Sequence, residues 1–443
     1  MKIRTAFQTT IQTSLAFVLM FVASSFLKAE NLSSTEKSIV SNIDQQLPSA
    51  LLLLEKAVNI NSGSMNFDGV RKVGELFKQE LQTLGFEVRW IDGSAFGRAG
   101  HLYAEFGSEE STAKKILLIG HLDTVFAKDG KFQAFKVIDQ SHIAGPGITD
   151  MKGGDVVMLS ALKGLKASGA LQRMQIRVLM MGDEEKRGSP YSVATNELIA
   201  AGIWADVALG FEDGDGNPKT AVVSRRGSTG WRLKVEGRAA HSSQIFREKY
   251  GYGAIFEAAR ILNQFRTELS QQPNLTFNPG VIVGGTNIDY DAALARGKSF
   301  GKNNVIAQST IVSGDIRALS PQQLKDAQQT MQSIVAKNLA ETSARLDFFD
   351  GYPPMAPNKG NHTLLSLYSQ ASQDLGFGRV KAVDPRKAGA ADISFVANHV
   401  DMALDGLGLM GTGGHTIKEV ADISTLSTQS KRAAIVIYRL SKP

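Results

Sequence analysis

Apolar positions along the chain alternate between two rhythms, and the alternation is itself a prediction. Short runs such as Ile116–Gly120, Gln175–Met181 and Val207–Phe211 read as buried strands. Between them, apolar residues recur at helical spacing, as in Val70–Leu84, which stops at Gly85. Taken in order, the first half predicts a helix over Leu51–Val58 opened by Pro48 and Ser49, then the Val70–Leu84 helix. Strands Glu87–Ile91, His101–Phe106 and Ile116–Gly120 follow, then a hairpin-like connection and a helix over Gly154–Leu165 ending at Gly169. Strand Gln175–Met181, a helix near Ser192–Ala201 and strand Val207–Phe211 complete this part. Strand and helix in turn argue for an α/β domain, a mixed sheet flanked by helices.

From about Ser228 the rhythm changes. Strand Trp231–Glu236, helix Tyr252–Phe265, strands Gly280–Gly284 and Val305–Ile316, helix Pro321–Leu339 and strand Arg345–Phe349 follow. This β-α-β-β-α-β order is the split βαβ unit, an α+β ferredoxin-like domain. It reads as an insert over 226–350, dividing a larger domain into 30–225 and 351–443. The larger domain resumes with helix Thr363–Leu375, strand Met402–Leu407 and closing helix Ile423–Leu440. A chain of 443 residues is long enough for two such domains.

Residues 1–29 read as a removable leader: a basic start, then thirteen residues of apolar run from Leu15 to Leu27. A membrane span needs ~20 residues, so this run fits a secretory signal better than an anchor. Cleavage after Ser25 or after Ala29 is expected, and with it a secreted or periplasmic protein without a stable membrane anchor. Lys2, Arg4 and Lys28 lie in the leader, so the formal charge of +6 overstates the mature surface. No basic stripe interleaved with aromatics appears, and nucleic acid is not an expected partner. The chain has no cysteine, which excludes disulfides, thiolate ligands and a Cys nucleophile; any zinc would need His and carboxylate ligands.

Candidate chemistry sits where strands end. His121 and Asp123 follow the Ile116–Gly120 run and fall on one side of an extended chain. Asp150 follows the turn Gly145-Pro146-Gly147, Glu184 and Glu185 follow Gln175–Met181, Glu212 follows Val207–Phe211, and His415 sits in a Gly-rich turn. Singly, each has an ordinary explanation: a capped turn, a turn-stabilising acid, a solvated charge run, a loop acid, a loop histidine. Together they form a pattern, because sites in helix-flanked sheets collect at the carboxyl ends of strands. Two imidazoles, a shared carboxylate and two further carboxylates would suit two metal ions.

The motifs GHLDTV, AGPGITDMKGGD, GDEEKRGS, GFED and GGHT occur in this order, with LEKAVNINSGS nearer the start. They resemble the secreted glutamate carboxypeptidase family that hydrolyses folates. They also resemble its wider di-zinc group of acetylornithine deacetylase, succinyl-diaminopimelate desuccinylase, aminoacylase and carnosinase. The resemblance implies two zinc ions per subunit bridged by Asp150. One would be completed by His121 and Glu212 and the other by Glu185 and His415, with Asp123 orienting His121. It implies Glu184 as general base and a non-proline cis bond between Asp150 and Met151. His241, in Gly237-Arg238-Ala239-Ala240-His241-Ser242, resembles the family's His that reaches a partner subunit's site. Asn304 and Arg317 resemble the residues that grip a substrate carboxylate, and a homodimer through the insert, acting as lid, is implied.

The chain departs from the folate-hydrolysing members at Ala388-Gly389-Ala390-Ala391-Asp392, where they have a Gly-rich turn with Thr before Asp. It also lacks their aromatic before the final His. Gly389 and Asp392 are therefore expected to line the substrate pocket and to bear on substrate identity. The reaction expected is cleavage of an amide next to a C-terminal amino acid with a free carboxylate, on a small peptide or N-acyl amino acid. N-acyl amino acid deacylation or dipeptide cleavage is the alternative on the same fold. A non-catalytic binding protein is a third, whose mark would be lost ligands.

Overall fold

The computed structural model describes residues 32–107 and 112–442. The expected leader therefore lies outside the described residues. Among these, no helix is long and apolar enough to cross a membrane.

The first helix, α1 (Ser34–Val58), differs from the sequence reading: it starts well before Pro48 and runs through it. Its start is set by a capping box. Ser33 Oγ accepts the Glu36 N–H at 3.3 Å, and the Glu36 carboxylate accepts the Ser33 N–H at 2.7 Å. Pro favours the first turn of a helix, but here the buried face of Ile39, Ile43, Leu53 and Leu54 carries the helix across Pro48. Helix α2 (Phe67–Leu84) ends at Gly85, whose φ of 93° is the left-handed C-cap that glycine adopts without cost.

Strands β1 (Glu87–Asp92), β2 (Gly100–Phe106) and β3 (Lys115–His121) follow, then the short pair β4 (Lys136–Val137) and β5 (His142–Ala144). Helix α3 (Gly153–Ala167), β6 (Gln175–Met181), α4 (Asn196–Trp204), β7 (Val207–Gly210) and β8 (Thr220–Ala221) complete this stretch. Gly154 lets α3 begin against the end of β7, since a Cβ there would lie 1.8 Å from the Phe211 carbonyl oxygen.

The chain then enters a second compact unit, with β9 (Thr229–Gly237), α5 (Gly253–Leu269), β10 (Thr276–Gly285), a hairpin of β11 (Asn287–Asp291) and β12 (Arg296–Phe300), and β13 (Ser309–Arg317). Helix α6 (Pro321–Val335) and β14 (Thr342–Phe348) close it. Its antiparallel sheet has the order β10-β13-β9-β14, the ferredoxin-like arrangement. Trp231 is its largest fully buried side chain; its indole N–H donates to the Asp315 carbonyl at 2.9 Å and its ring meets Phe265 edge-on. The β11–β12 hairpin is an addition to the expected order; its strands are only five residues each, and β12 is exposed throughout and carries no alternation.

The remaining elements are α7 (Lys359–Asp374), β15 (Lys381–Ala382), β16 (Met402–Leu404), β17 (Gly411–Thr412), β18 (Val420–Asp422) and α8 (Ser424–Leu440). The first unit comprises the chain to Val223, Lys359–Val383 and the chain from His399. The second comprises Ser224–Asn358 and also Asp384–Asn398, a segment that lies within the range 351–443 expected for the first domain. That segment is held by Arg225, which donates to the Gly389 carbonyl at 2.9 Å, a long-range bond with no sequence signature.

The main sheet of the first unit runs β1-β2-β6-β3-β7-β16. β3 pairs parallel with β6 and β7, β16 parallel with β7, and β1 and β2 antiparallel at the other side. β3 is central, which is why Ile116, Leu117 and Leu118 are all fully buried and its apolar run is continuous. A smaller sheet, β17-β18-β5-β4, ties the C-terminal region to the connection after β3.

Candidate metal centre

Parallel pairing of β3 with β6 and β7 brings three carboxyl ends to one edge of the main sheet. His121 closes β3, Glu184 and Glu185 follow β6, and Glu212 follows β7. The smaller sheet delivers the rest: Asp150 from the turn after β5, and His415 from the loop between β17 and β18. His415 itself has φ of 62°, an uncommon backbone state for a residue with a side chain and one that recurs at functional sites.

Asp150 is the shared member. Its Oδ1 lies 3.1 Å from His121 Nε2, and its Oδ2 lies 2.8 Å from His415 Nε2. Glu212 Oε1 is 3.5 Å from the same His121 nitrogen, and Glu185 Oε2 is 3.1 Å from the same His415 nitrogen. The candidate ligand atoms of His121, Asp150 and Glu212 lie within 4.8 Å of one another, as do those of Asp150, Glu185 and His415. The peptide between Asp150 and Met151 is cis, as the resemblance implies.

Asp123 is fully buried and takes a broader part than orienting His121. Its carboxylate accepts Ser64 Oγ–H at 2.6 Å and the backbone N–H groups of Glu184 and Glu185 at 3.0 and 3.1 Å. It thus fixes the turn that presents both glutamates. His121 Nδ1 lies 3.0 Å from the Asp123 carbonyl oxygen and 3.5 Å from its carboxylate. Donation from Nδ1 to that carbonyl leaves Nε2, the atom facing Asp150 and Glu212, as the nitrogen that would exchange its proton for a metal ion.

The electrostatics favour a cation. Burial works against charge on His121, yet Asp123, Asp150 and Glu212 hold its imidazole well above the ordinary value. Hydrogen bonds to Asp150 and then Glu185 push His415 up to about 11. Burial, reinforced by the negative Asp150, pushes the Glu185 carboxyl up to about 7. Burial also disfavours charge on Asp150, but bonds from His121 and His415 take its carboxyl below the usual range. Glu185 Oε1 is buried and without a hydrogen-bond partner among the described residues, as expected of an atom awaiting a ligand other than a protein donor. These imidazole and carboxylate donors suit a divalent ion in each group.

The model of peptidase family M20/M25/M40 matches residues 117–439, well over half of the chain. The chain belongs to this family. It is a hydrolase, a metallopeptidase-type enzyme acting on amide bonds. Carboxypeptidase G2 of a Pseudomonas species is 26% identical over 438 residues, covering 97% of this chain and 98% of that one. Acetylornithine deacetylase of Pasteurella multocida is 26% identical over 287 residues, covering 62% and 68%. Among solved structures, the aminopeptidase PepT of Bacillus cereus superposes with a TM-score of 0.71 at 18% identity, covering 89% of this chain and 99% of that one. The Bacillus subtilis YXEP protein, described as a dinuclear metal-binding peptidase of the M20 family, has a TM-score of 0.62 at 14% identity, covering 90% and 99%. Centres of two metal ions therefore occur within the M20 family.

The other candidates of this M20 hydrolase, His241, Asn304, Arg317, Gly389 and Asp392, belong to the second unit. His241 and Asn304 are exposed neighbours there: Ser242 N–H donates to the Asn304 carbonyl at 2.8 Å, and His241 bridges to Val305. Arg317 ends β13 and donates from Nε to Asp315 at 2.9 Å. Gly389 is exposed, whereas Asp392, expected beside it in the pocket, is buried at 3% exposure.

Sequence reasoning missed three contributors. Ser64 secures Asp123, as above. Asp405 is buried behind β7, where its carboxylate accepts the Glu212 N–H at 3.3 Å and the Gly406 N–H at 2.7 Å. In the second unit, Arg226 donates to Thr276 Oγ1 at 2.8 Å, and Thr276 stands opposite Arg317 in the β10–β13 register. Burial first, then the like charges of Arg317 and Arg386, pull Arg226 below its ordinary value. None of the three stands in a local pattern; the GS dipeptide at Gly63-Ser64 was the nearest signal for any of them.

Proposed function

We propose that this chain is an exported two-zinc hydrolase that cleaves an amide next to a C-terminal amino acid with a free carboxylate. The observation that carries the reading is Asp150, whose two oxygens face two different imidazoles, each with a further carboxylate of its own. In this reading His121, Asp150 and Glu212 hold one ion, and Asp150, Glu185 and His415 the other. A pair of divalent ions held there would supply water acidic enough to ionise near neutral pH and would polarise the scissile carbonyl.

The chain's residues do the rest. Glu184, on the turn fixed by Asp123, accepts a proton on its carboxylate as water attacks and returns it to the leaving amine nitrogen. His241 Nδ1 lies 2.9 Å from Ser243 Oγ and accepts the Ser243 N–H at 3.3 Å, which leaves Nε2 as the ring nitrogen to face a developing oxyanion. Asn304 and Arg317 bind the substrate carboxylate, for which the planar guanidinium is fitted, and Arg226 and Arg386 add positive charge nearby. A cavity of about 800 Å³ opens beside Glu185, and the exposed side chains of Met65, Phe67 and Val125 line it. These give the acyl part of the substrate an apolar wall.

Export rests on the leader-like residues 1–29, and a homodimer through the second unit rests on the family resemblance of His241. The overall match to carboxypeptidase G2 favours a carboxypeptidase. The altered turn Ala388–Asp392 and the match to acetylornithine deacetylase favour N-acyl amino acid deacylation as the second reading. Metal content measured beside a panel of folyl-glutamate, N-acyl amino acids and dipeptides, with and without chelator, tests both. Hydrolysis of substrates lacking the free carboxylate as fast as those bearing it would sink the first reading.

A further inference from the structure

The turn from Gly145 to Met151 carries the shared carboxylate but has no regular ladder of its own. Asp150 and Met151 have non-helical backbone angles, and Gly147 has φ of 70°. Backbone N–H groups in such a buried turn need partners from elsewhere. Glu419 provides them. It is fully buried, and its Oε2 accepts the Gly147 N–H at 2.9 Å. Its Oε1 accepts the N–H groups of Thr149 and Asp150 at 2.8 and 3.2 Å and the Thr149 hydroxyl at 3.2 Å. Its own carbonyl takes the Gly145 N–H at 3.4 Å.

Both oxygens of one carboxylate are therefore spent on the turn that presents Asp150. A buried carboxylate is tolerated only when so satisfied, and bonds to an ionised acceptor are the stronger kind. Glu419 also follows His415 by four residues, in the same β17–β18 loop. One side chain thus ties the loop bearing one imidazole to the turn bearing the carboxylate that faces both.

We propose that Glu419 is a positioning residue for the whole centre, setting the affinity of both metal ions together through the placement of Asp150. The proposal rests on the reading that the two clusters sharing Asp150 hold metal. His415 or Glu185 would affect chiefly the ion of its own group, whereas Glu419 acts on the member common to both. A glutamine there keeps the size but offers one oxygen, and its amide N–H groups would face the turn's donors.

The test is titration of cobalt(II) into chelator-stripped full-length protein, read by its d–d absorption and by chelator competition, for wild type, E419Q and H415A. Wild type is expected to take two ions. E419Q is expected to weaken both in parallel, by roughly 10–100-fold each as for other partners that hold ligands in place, while H415A weakens one much more than the other. Far-UV circular dichroism and Tm of the stripped proteins separate this from a merely structural part. Lowered Tm with both affinities unchanged overturns the proposal, and so does weakening of one ion alone. If E419Q does not fold, T149V removes only the hydroxyl bond and should weaken both ions slightly and equally; unchanged affinities overturn the proposal there too. Failure of wild type to take two ions would instead strike the metal reading itself.

Discussion

The two compact units hold their candidate residues in opposite ways. In the first, His121, Asp123 and Glu185 are at most 5% exposed, and His121 and His415 already face carboxylates at 2.8–3.5 Å. In the second, His241 and Asn304 are exposed, and Arg317 is 39% exposed and paired with Asp315. The first is a centre assembled by the fold before any ligand arrives. The second keeps donors at a surface, where, in the proposed reading, a substrate would meet them. The contrast follows from chemistry: metal affinity needs ligands held in place, whereas recognition of a varying substrate needs accessible groups on a rigid support.

Within the first unit a second contrast appears. His121 is 1% exposed and His415 59% exposed, although both face Asp150. One group is sealed under the sheet edge, and the other opens outward beside the cavity near Glu185.

Removing Glu184, the proposed proton acceptor, tests this division hardest. E184Q should keep two metal ions, counted by elemental analysis, and lose turnover by roughly 10²–10⁴-fold; near-normal kcat would remove Glu184 from the reaction. The next largest effect is expected in the second unit, where H241A should lower kcat by about 10²–10³-fold, as for loss of an oxyanion donor, with metal content untouched. Metal loss in H241A would erase the distinction between the units. R317A should act mainly on KM. Losing one charged hydrogen-bonding partner, worth about 1.5–3 kcal/mol, corresponds to roughly 10–100-fold. The same variant should show no further loss with substrates whose carboxylate is amidated, and a further loss would disconnect Arg317 from that group.

The smallest effect concerns the exposed half of the centre without metal. His415 is raised to about 11, so its bonds stabilise the metal-free fold fully below its unfolded value of about 6.5. That contribution is lost as pH climbs from about 6.5 to about 11. The Tm advantage of metal-free wild type over H415Q should shrink over that window. It should be modest, because the side chain is half in solvent. Added zinc should remove the dependence, since the ion replaces the proton. An advantage that grows with pH would contradict the assignment.

Much of the main sheet was legible in the chain because burial on both faces leaves an unbroken apolar signature. Ile116–Gly120, Gln175–Met181 and Val207–Phe211 were read as strands and are observed within a residue or two. The β-α-β-β-α-β order of the second unit was legible too, but not its β11–β12 hairpin or the Asp384–Asn398 segment. Helix α1 was cut short in the reading because the Ser33–Glu36 capping box is brief and Pro48 stands out more strongly. The β17-β18-β5-β4 sheet went unread, because strands of two or three residues carry no periodicity.

By itself, then, the sequence determined which residues could do metal chemistry. With no cysteine, only His and acids following apolar strands remained, and their ordered motifs pointed to one family. Only the tertiary structure decided how those residues are held. Asp123 facing the Glu184 and Glu185 amides, Asp405 behind Glu212, and Glu419 reaching 269 positions back to Asp150 are contacts between distant segments. Such contacts leave no local pattern, because a buried carboxylate is satisfied by backbone donors whose side chains are free to be anything.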